Sequence, residues 1–183
     1  LDNENLIAVR DYARKIHNGQ LRKGGDPYFH HVVEVEELCR ELFDGNQLGL
    51  QGDDERFNVL ATALLHDSIE DTAADYEDIE HVSNRQVADW VKLLSEDKRK
   101  PKIIRRREYL EVLGASCSVV QAIKLADIYS NVTGITFREE NDWIKRYLEL
   151  SLEVIERLRL VKELDLYFKC LDAISVVESK LTI

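Results

Sequence analysis

Methionine is absent from the 183 residues, and proline occurs only at Pro27 and Pro101. Little therefore interrupts helical stretches, and both prolines stand where helices should begin. Cysteine is sparse and odd in number: Cys39, Cys117 and Cys170 form no CxxC pair and no zinc-type cluster. That argues against a disulfide framework and predicts buried thiols in a reducing compartment. Long apolar runs are missing too, the longest being far short of the ~20 residues that span a bilayer. No basic start leads into an apolar stretch and a small-residue cleavage site, so the expectation is a cytoplasmic protein without membrane contact. Positive charge is in deficit, with 25 Lys and Arg against 35 Asp and Glu and a net charge of -10. Broad nucleic-acid binding needs a basic face and is excluded; a small anionic ligand is not.

What is present fits one soluble globular domain over residues 1–183. Apolar residues recur at threes and fours nearly throughout, the period of amphipathic helices. Leu6, Val9, Ala13 and Ile16 mark one stripe; Val32, Val35, Cys39 and Leu42 mark another; Phe57, Leu60, Ala61, Leu64 and Leu65 a third. Val119, Ile123 and Ala126 follow, then Ile144, Leu148, Leu152 and Ile155, and finally Leu164, Tyr167, Phe168, Leu171 and Ile174. No run alternates with period two. The predicted fold is all-α, with about eight or nine helices and polar, glycine-bearing loops at 18–26 and 44–54.

Ala63-Leu64-Leu65-His66-Asp67-Ser68-Ile69-Glu70-Asp71-Thr72 carries the strongest chemical signal. An apolar run stops abruptly at His-Asp, and at a helix end both side chains can turn toward one point. Glu70 follows His66 by four residues and shares its face if the helix continues. Imidazole with carboxylates suits a divalent ion such as Mn, Fe, Co or Zn, but two adjacent ligands cannot close a site. Asp26-Pro27-Tyr28-Phe29-His30-His31 offers another imidazole at a helix start. Ala122-Ile123-Lys124-Leu125-Ala126-Asp127 ends an apolar stretch in an acid, with Asn131 one turn on. An unpaired carboxylate is costly to bury, so Asp127 calls for a metal, a cation or a cap. Seven Lys and Arg between Lys98 and Arg107 stand in an otherwise acidic chain, as either a solvated face or a local phosphate-binding patch.

The order His31, His66-Asp67, Asp127 resembles the HD superfamily of metal phosphohydrolases. The flanking stretches are similar to one branch, the hydrolase domain of RelA/SpoT homologues, and above all to single-domain small alarmone hydrolases. Residues 13–31, 63–72 and 123–131 carry the likeness, which extends over roughly 5–160. The resemblance implies an HD-type helical domain whose metal, usually manganese, is held by His31, His66, Asp67 and Asp127. It implies that Glu70 and Asp71 act on the attacking water. Arg22 and Lys23 match positions that hold the purine; Lys98, Lys102, Asn131 and Tyr147 match positions near phosphates and ribose. The implied substrate is a guanine nucleotide, guanosine 3′,5′-bis(diphosphate), losing its 3′-pyrophosphate in a stringent-response reaction. His30 is assigned to packing or surface, as are His17 and His81.

Three places depart from the branch. Ile128 replaces a usual basic residue, Ser130 an aromatic or His, and Thr133 an Arg, which is read as a changed polar lining after the metal Asp. Two other readings therefore stay open: an HD phosphohydrolase of another nucleotide, such as NADPH or a nucleoside monophosphate, and a nucleotide-binding HD module without turnover. Oligomeric state is not legible in the sequence.

Overall fold

Pro27 and Pro101 each stand immediately before a helix, where a missing N–H costs nothing and a fixed φ favours the first turn. The computed structural model describes residues 4–137 and 140–181. Helices α1 (Glu4–Ile16), α2 (Tyr28–Asp44) and α3 (Asp53–Leu65) come first, followed by the single turn α4 (Ser68–Asp71). After them come α5 (Tyr76–Val82), α6 (Arg85–Leu94), α7 (Lys102–Ala115) and α8 (Ser118–Thr133). Last are α9 (Asn141–Arg157), a 3-10 turn (Arg159–Val161) and α10 (Asp165–Leu181). No strand occurs among the described residues; Leu21 and Pro27 form one isolated antiparallel bridge.

Two helices are enclosed by the others. In α3, every residue from Val59 to Leu65 is buried. In α8, burial extends round the helix, taking in Val119, Ile123, Leu125, Ala126, Ile128 and Val132. A helix apolar on all sides belongs inside a bundle, and α8 packs on α2, α3, α6, α7, α9 and α10. Each fully buried Leu or Ile there contributes roughly 1.5–3 kcal/mol. Any polar side chain on these two helices is carried into the interior and must find a partner.

Gln121 shows how strictly that holds. Its Nε2 donates to the carbonyls of Leu113 (3.2 Å) and Ser116 (3.1 Å), and its Oε1 accepts from Leu160 N–H (2.9 Å). This side chain ties the α7–α8 turn to the 3-10 turn. Replacing Gln121 by Leu strands the Ser116 carbonyl and the Leu160 N–H, at roughly 1–3 kcal/mol each. The expected fall in Tm is about 4–24 °C, at roughly 2–4 °C per kcal/mol for a chain of this size; a change under ~2 °C would show that both groups reach water.

Most predicted stripes are buried, but the last differs. On α10 the inward residues are Leu166, Cys170, Ile174 and Val177, whereas Phe168 is 61% exposed. Adjacent aromatic and aliphatic residues at 164–168 satisfy a 3.6 period in more than one phase, and the neighbouring helices select the phase. Cys39 and Cys170 are buried as expected; Cys117, just before α8, is instead exposed.

Candidate metal centre

The first ligand segment depends on a break in the helix. α3 ends at Leu65, His66 keeps helical angles, and Asp67 leaves them at φ -102°, ψ 2°. That sparsely allowed conformation turns two adjacent side chains to the same side. The helix therefore does not continue through Glu70, which sits on the separate turn α4. His31 lies in the first turn of α2, and Asp127 lies on α8.

One ligand atom from each of His31, His66, Asp67 and Asp127 falls within 4.8 Å of every other. His66 Nε2 is 3.0 Å from Asp67 Oδ2 and 3.6 Å from Asp127 Oδ1; His31 Nε2 is 3.2 Å from Asp127 Oδ1 and 3.7 Å from Asp67 Oδ2. Ligands about 2.1–2.2 Å from a cation and at right angles lie about 3 Å apart, so the spacing suits one ion. Both imidazole Nε2 atoms are buried and lack a hydrogen-bond partner. His66 Nδ1 is 2.8 Å from the Ala63 carbonyl, which can only accept, so the proton is on Nδ1 and the Nε2 lone pair faces the cluster in the neutral ring. The residues fit a divalent cation of borderline softness.

The charges explain why an ion belongs there. Burial pushes the His66 imidazole pKa down, but Asp67 and Asp127 outweigh it and raise it to about 10. A cation held at this nitrogen would compete with a proton for the same lone pair. Burial works against the Asp127 carboxylate, yet Lys124 and the two imidazoles hold its pKa well below the usual range. Lys124 Nζ donates to Asp127 Oδ2 (2.7 Å) and Asn131 Nδ2 to Asp127 Oδ1 (2.6 Å). The Tyr28 hydroxyl donates to Asp67 Oδ2.

Glu70 is half-buried beside the cluster. Its Oε2 accepts from Glu96 N–H (3.1 Å), and burial raises its pKa above the usual carboxylate range despite that bond and nearby Lys124. Lys98 Nζ donates to Asp71 Oδ1 (2.7 Å) and the Glu70 carbonyl (2.8 Å), so it straps α4 in place. Other parts of the basic run meet acids: Arg99 pairs with Asp97, Lys100 with Glu108, Arg105 with Glu96, and Arg106 with Glu96 and Glu153. Lys102 is exposed and lines a separate groove with Arg106, Arg107 and Arg157.

A cleft of about 240 Å³ adjoins the centre, lined by Arg22, Lys23, Tyr28, Asn131, Trp143 and Tyr147 among others. The loop before α2 builds one wall. Gly25 N–H donates to the Arg22 carbonyl (2.9 Å), a turn with Gly25 at φ 98° that puts Lys23 at its tip and Arg22 at its base. Arg22 donates to the Ser130 carbonyl (3.2 Å) and Asn131 Oδ1 (3.1 Å). Lys23 Nζ lies 3.4 Å from the centre of the Trp143 ring, which stacks on Tyr147 at 5.3 Å. Sequence reasoning missed Trp143, although its place one turn before Tyr147 was the available signal.

None of Ile128, Ser130 and Thr133 lines this cleft. Ile128 is 3% exposed in the core, Ser130 is buried behind His31, and Thr133 Oγ1 donates to the Tyr129 carbonyl (2.8 Å). The expected change in polar lining is thus corrected: helical phase turns all three away from the cleft. His30 and His81 are exposed; His17 is buried, hydrogen-bonded to Gln20 (2.7 Å) and stacked on Tyr28.

Gly134 makes room for Arg22. A Cβ there would lie 2.6 Å from an Arg22 guanidinium nitrogen. Because the obstacle is the end of a flexible side chain, Gly134→Ala is expected to spare the fold and move Arg22. Affinity for the ligand of this cleft should fall roughly 10-fold, the loss of about 1.4 kcal/mol of binding. An unaltered affinity would remove Arg22 from ligand binding in this cleft.

The HD domain family model matches residues 9–128, about two thirds of the chain. The guanosine-3′,5′-bis(diphosphate) 3′-pyrophosphohydrolase MESH1 of Drosophila melanogaster is 30% identical over 154 residues, 81% of each chain. MESH1 of Homo sapiens is 28% identical over 160 residues, 84% of each chain. A solved structure of a metazoan orthologue of SpoT that hydrolyses ppGpp superposes with a TM-score of 0.78, at 26% identity and 97% coverage of both chains. The matched segment runs from α1 to the part of α8 that bears Asp127 and so contains all four converged side chains: this chain belongs to the HD domain family.

Proposed function

We propose that the protein is a metal-dependent hydrolase that removes the 3′-pyrophosphate of guanosine 3′,5′-bis(diphosphate), leaving the 5′-diphosphate and free pyrophosphate. The observation that carries this reading is the pair of buried, unpartnered Nε2 atoms facing two carboxylates at the end of a base-sized cleft. The MESH1 relatives, which carry this activity in their names, and the solved SpoT orthologue, which hydrolyses ppGpp, support the choice of substrate.

His31, His66, Asp67 and Asp127 would hold the ion, with Mn²⁺ as the proposed metal. Such an ion polarises a phosphoryl oxygen and makes water a nucleophile near neutral pH. Glu70 takes the proton of the attacking water; its raised pKa makes it a better base than an ordinary carboxylate. Lys98 fixes the α4 backbone and holds Asp71, so the Glu70 carboxylate is delivered by a braced turn. Arg22 presents a planar guanidinium to the purine, and the Lys23–Trp143–Tyr147 stack closes the other side. Asn131 joins the two halves, donating to Asp127 while accepting from Arg22, and so sets the distance between base and reacting phosphate.

The test is a product-resolved nucleotide panel with Mn²⁺, measuring pyrophosphate and phosphate separately. Guanosine 3′-pyrophosphates should yield pyrophosphate alone. Phosphate release from NADPH or a nucleoside monophosphate at a higher kcat/KM would replace this reading with that of a nucleotide phosphatase.

A further inference from the structure

His31 is a predicted ligand whose far nitrogen meets no backbone carbonyl. Its Nδ1 is 2.9 Å from Ser130 Oγ, and Ser130 Oγ donates to Glu34 Oε2 at 2.6 Å. Glu34 lies one turn after His31 on α2, and Ser130 reaches both from α8. Arg22 NH1 approaches the same Glu34 oxygen at 3.6 Å. These contacts form a line from the metal cluster to the wall of the nucleotide cleft.

The hydrogen count along this line has one solution. A carboxylate only accepts, so the hydroxyl proton of Ser130 must point to Glu34. The Ser130 oxygen then offers a lone pair to His31, and Nδ1 must carry the ring proton to meet it. In the neutral ring Nε2 is consequently bare, and it is the atom that lies among Asp67, Asp127 and His66. A Ser without Glu34 could turn its proton toward Nδ1 and favour the wrong tautomer. Ser130 is 2% exposed and His31 fully buried, so water does not substitute for either partner. The Glu34 side chain is 54% exposed at the mouth of a groove that also holds Glu37 and Glu41.

We infer that Ser130 and Glu34 are positioning residues that lock His31 in its metal-binding tautomer. In this chain the residue before Asn131, read from sequence as a departure, serves the metal centre from behind. This inference rests on the proposed metal reading. Partners of this kind typically tune metal affinity 10- to 100-fold.

The test measures Mn²⁺ binding to the intact metal-stripped protein, by the electron paramagnetic resonance signal of free Mn²⁺, without nucleotide. Ser130→Ala should raise the Kd at least about 10-fold. Glu34→Gln, at an exposed position that does not threaten folding, should raise it several-fold. Glu37→Gln removes the same charge from the same groove and should leave it unchanged. Wild-type affinity in both Ser130→Ala and Glu34→Gln would overturn the inference and leave the metal reading standing. Equal weakening by Glu34→Gln and Glu37→Gln would also overturn it, as a bulk field effect. Failure of the wild-type protein itself to bind Mn²⁺ would remove the metal reading and this inference together.

Discussion

Asp127→Asn is expected to reduce turnover of guanosine 3′,5′-bis(diphosphate) by about 10³- to 10⁵-fold. A bound ion would supply several kcal/mol at a reacting phosphoryl group, and each 1.4 kcal/mol is tenfold in rate. An amide has nearly the shape of the carboxylate but lacks the charge that offsets the cation. It also cannot accept from Lys124 and Asn131 on both sides as Asp127 does. Helix α8 should persist, since its many buried apolar residues are untouched. Far-ultraviolet circular dichroism checks the fold, and metal analysis should show the ion lost or weakened. A folded variant with more than a tenth of normal turnover would take Asp127 out of the metal site.

Glu70→Gln should act differently, keeping the ion and nucleotide while lowering kcat about 10²- to 10⁴-fold, the usual contribution of a general base. Glu70 stands beside the four converged side chains and is not one of them. The pH profile supplies a second readout. Burial raises the Glu70 pKa, so the carboxylate becomes available as a base only above the ordinary glutamate range near ~4.3. The acid limb of kcat should therefore lie above that value in the wild type and disappear in Glu70→Gln. Near-normal kcat in the variant, with metal confirmed, would exclude Glu70 from the chemistry.

Several of these residues are legible in the chain itself. Helices repeat every 3.6 residues, so apolar stripes reveal elements and their inner faces without knowledge of partners. His66-Asp67 stands out because an apolar run ends in two side chains able to ligate a metal, and Asp127 because a carboxylate interrupts a buried helix. Spacing does not disclose contacts between distant segments. Ser130 meets Glu34 across 96 residues and His31 across 99, and a serine inside a helix carries no pattern of its own. Spacing leaves both readings of the basic run open for a related reason: its charges are answered partly by acids as distant as Asp71 and Glu153. The α10 stripe was read out of phase at Phe168, because only the packing against α8 and α9 selects among overlapping periodicities.

The most direct measurement of the central claim is a Mn²⁺ titration of metal-stripped wild-type protein, with pyrophosphate release followed throughout. Activity on guanosine 3′,5′-bis(diphosphate) is expected to be absent at the start, to rise linearly, and to level off at about one Mn²⁺ per chain, matching the single four-residue cluster found among the described residues. Full turnover by the stripped protein, or a metal-dependent rate that persists unchanged in Asp127→Asn, would contradict it.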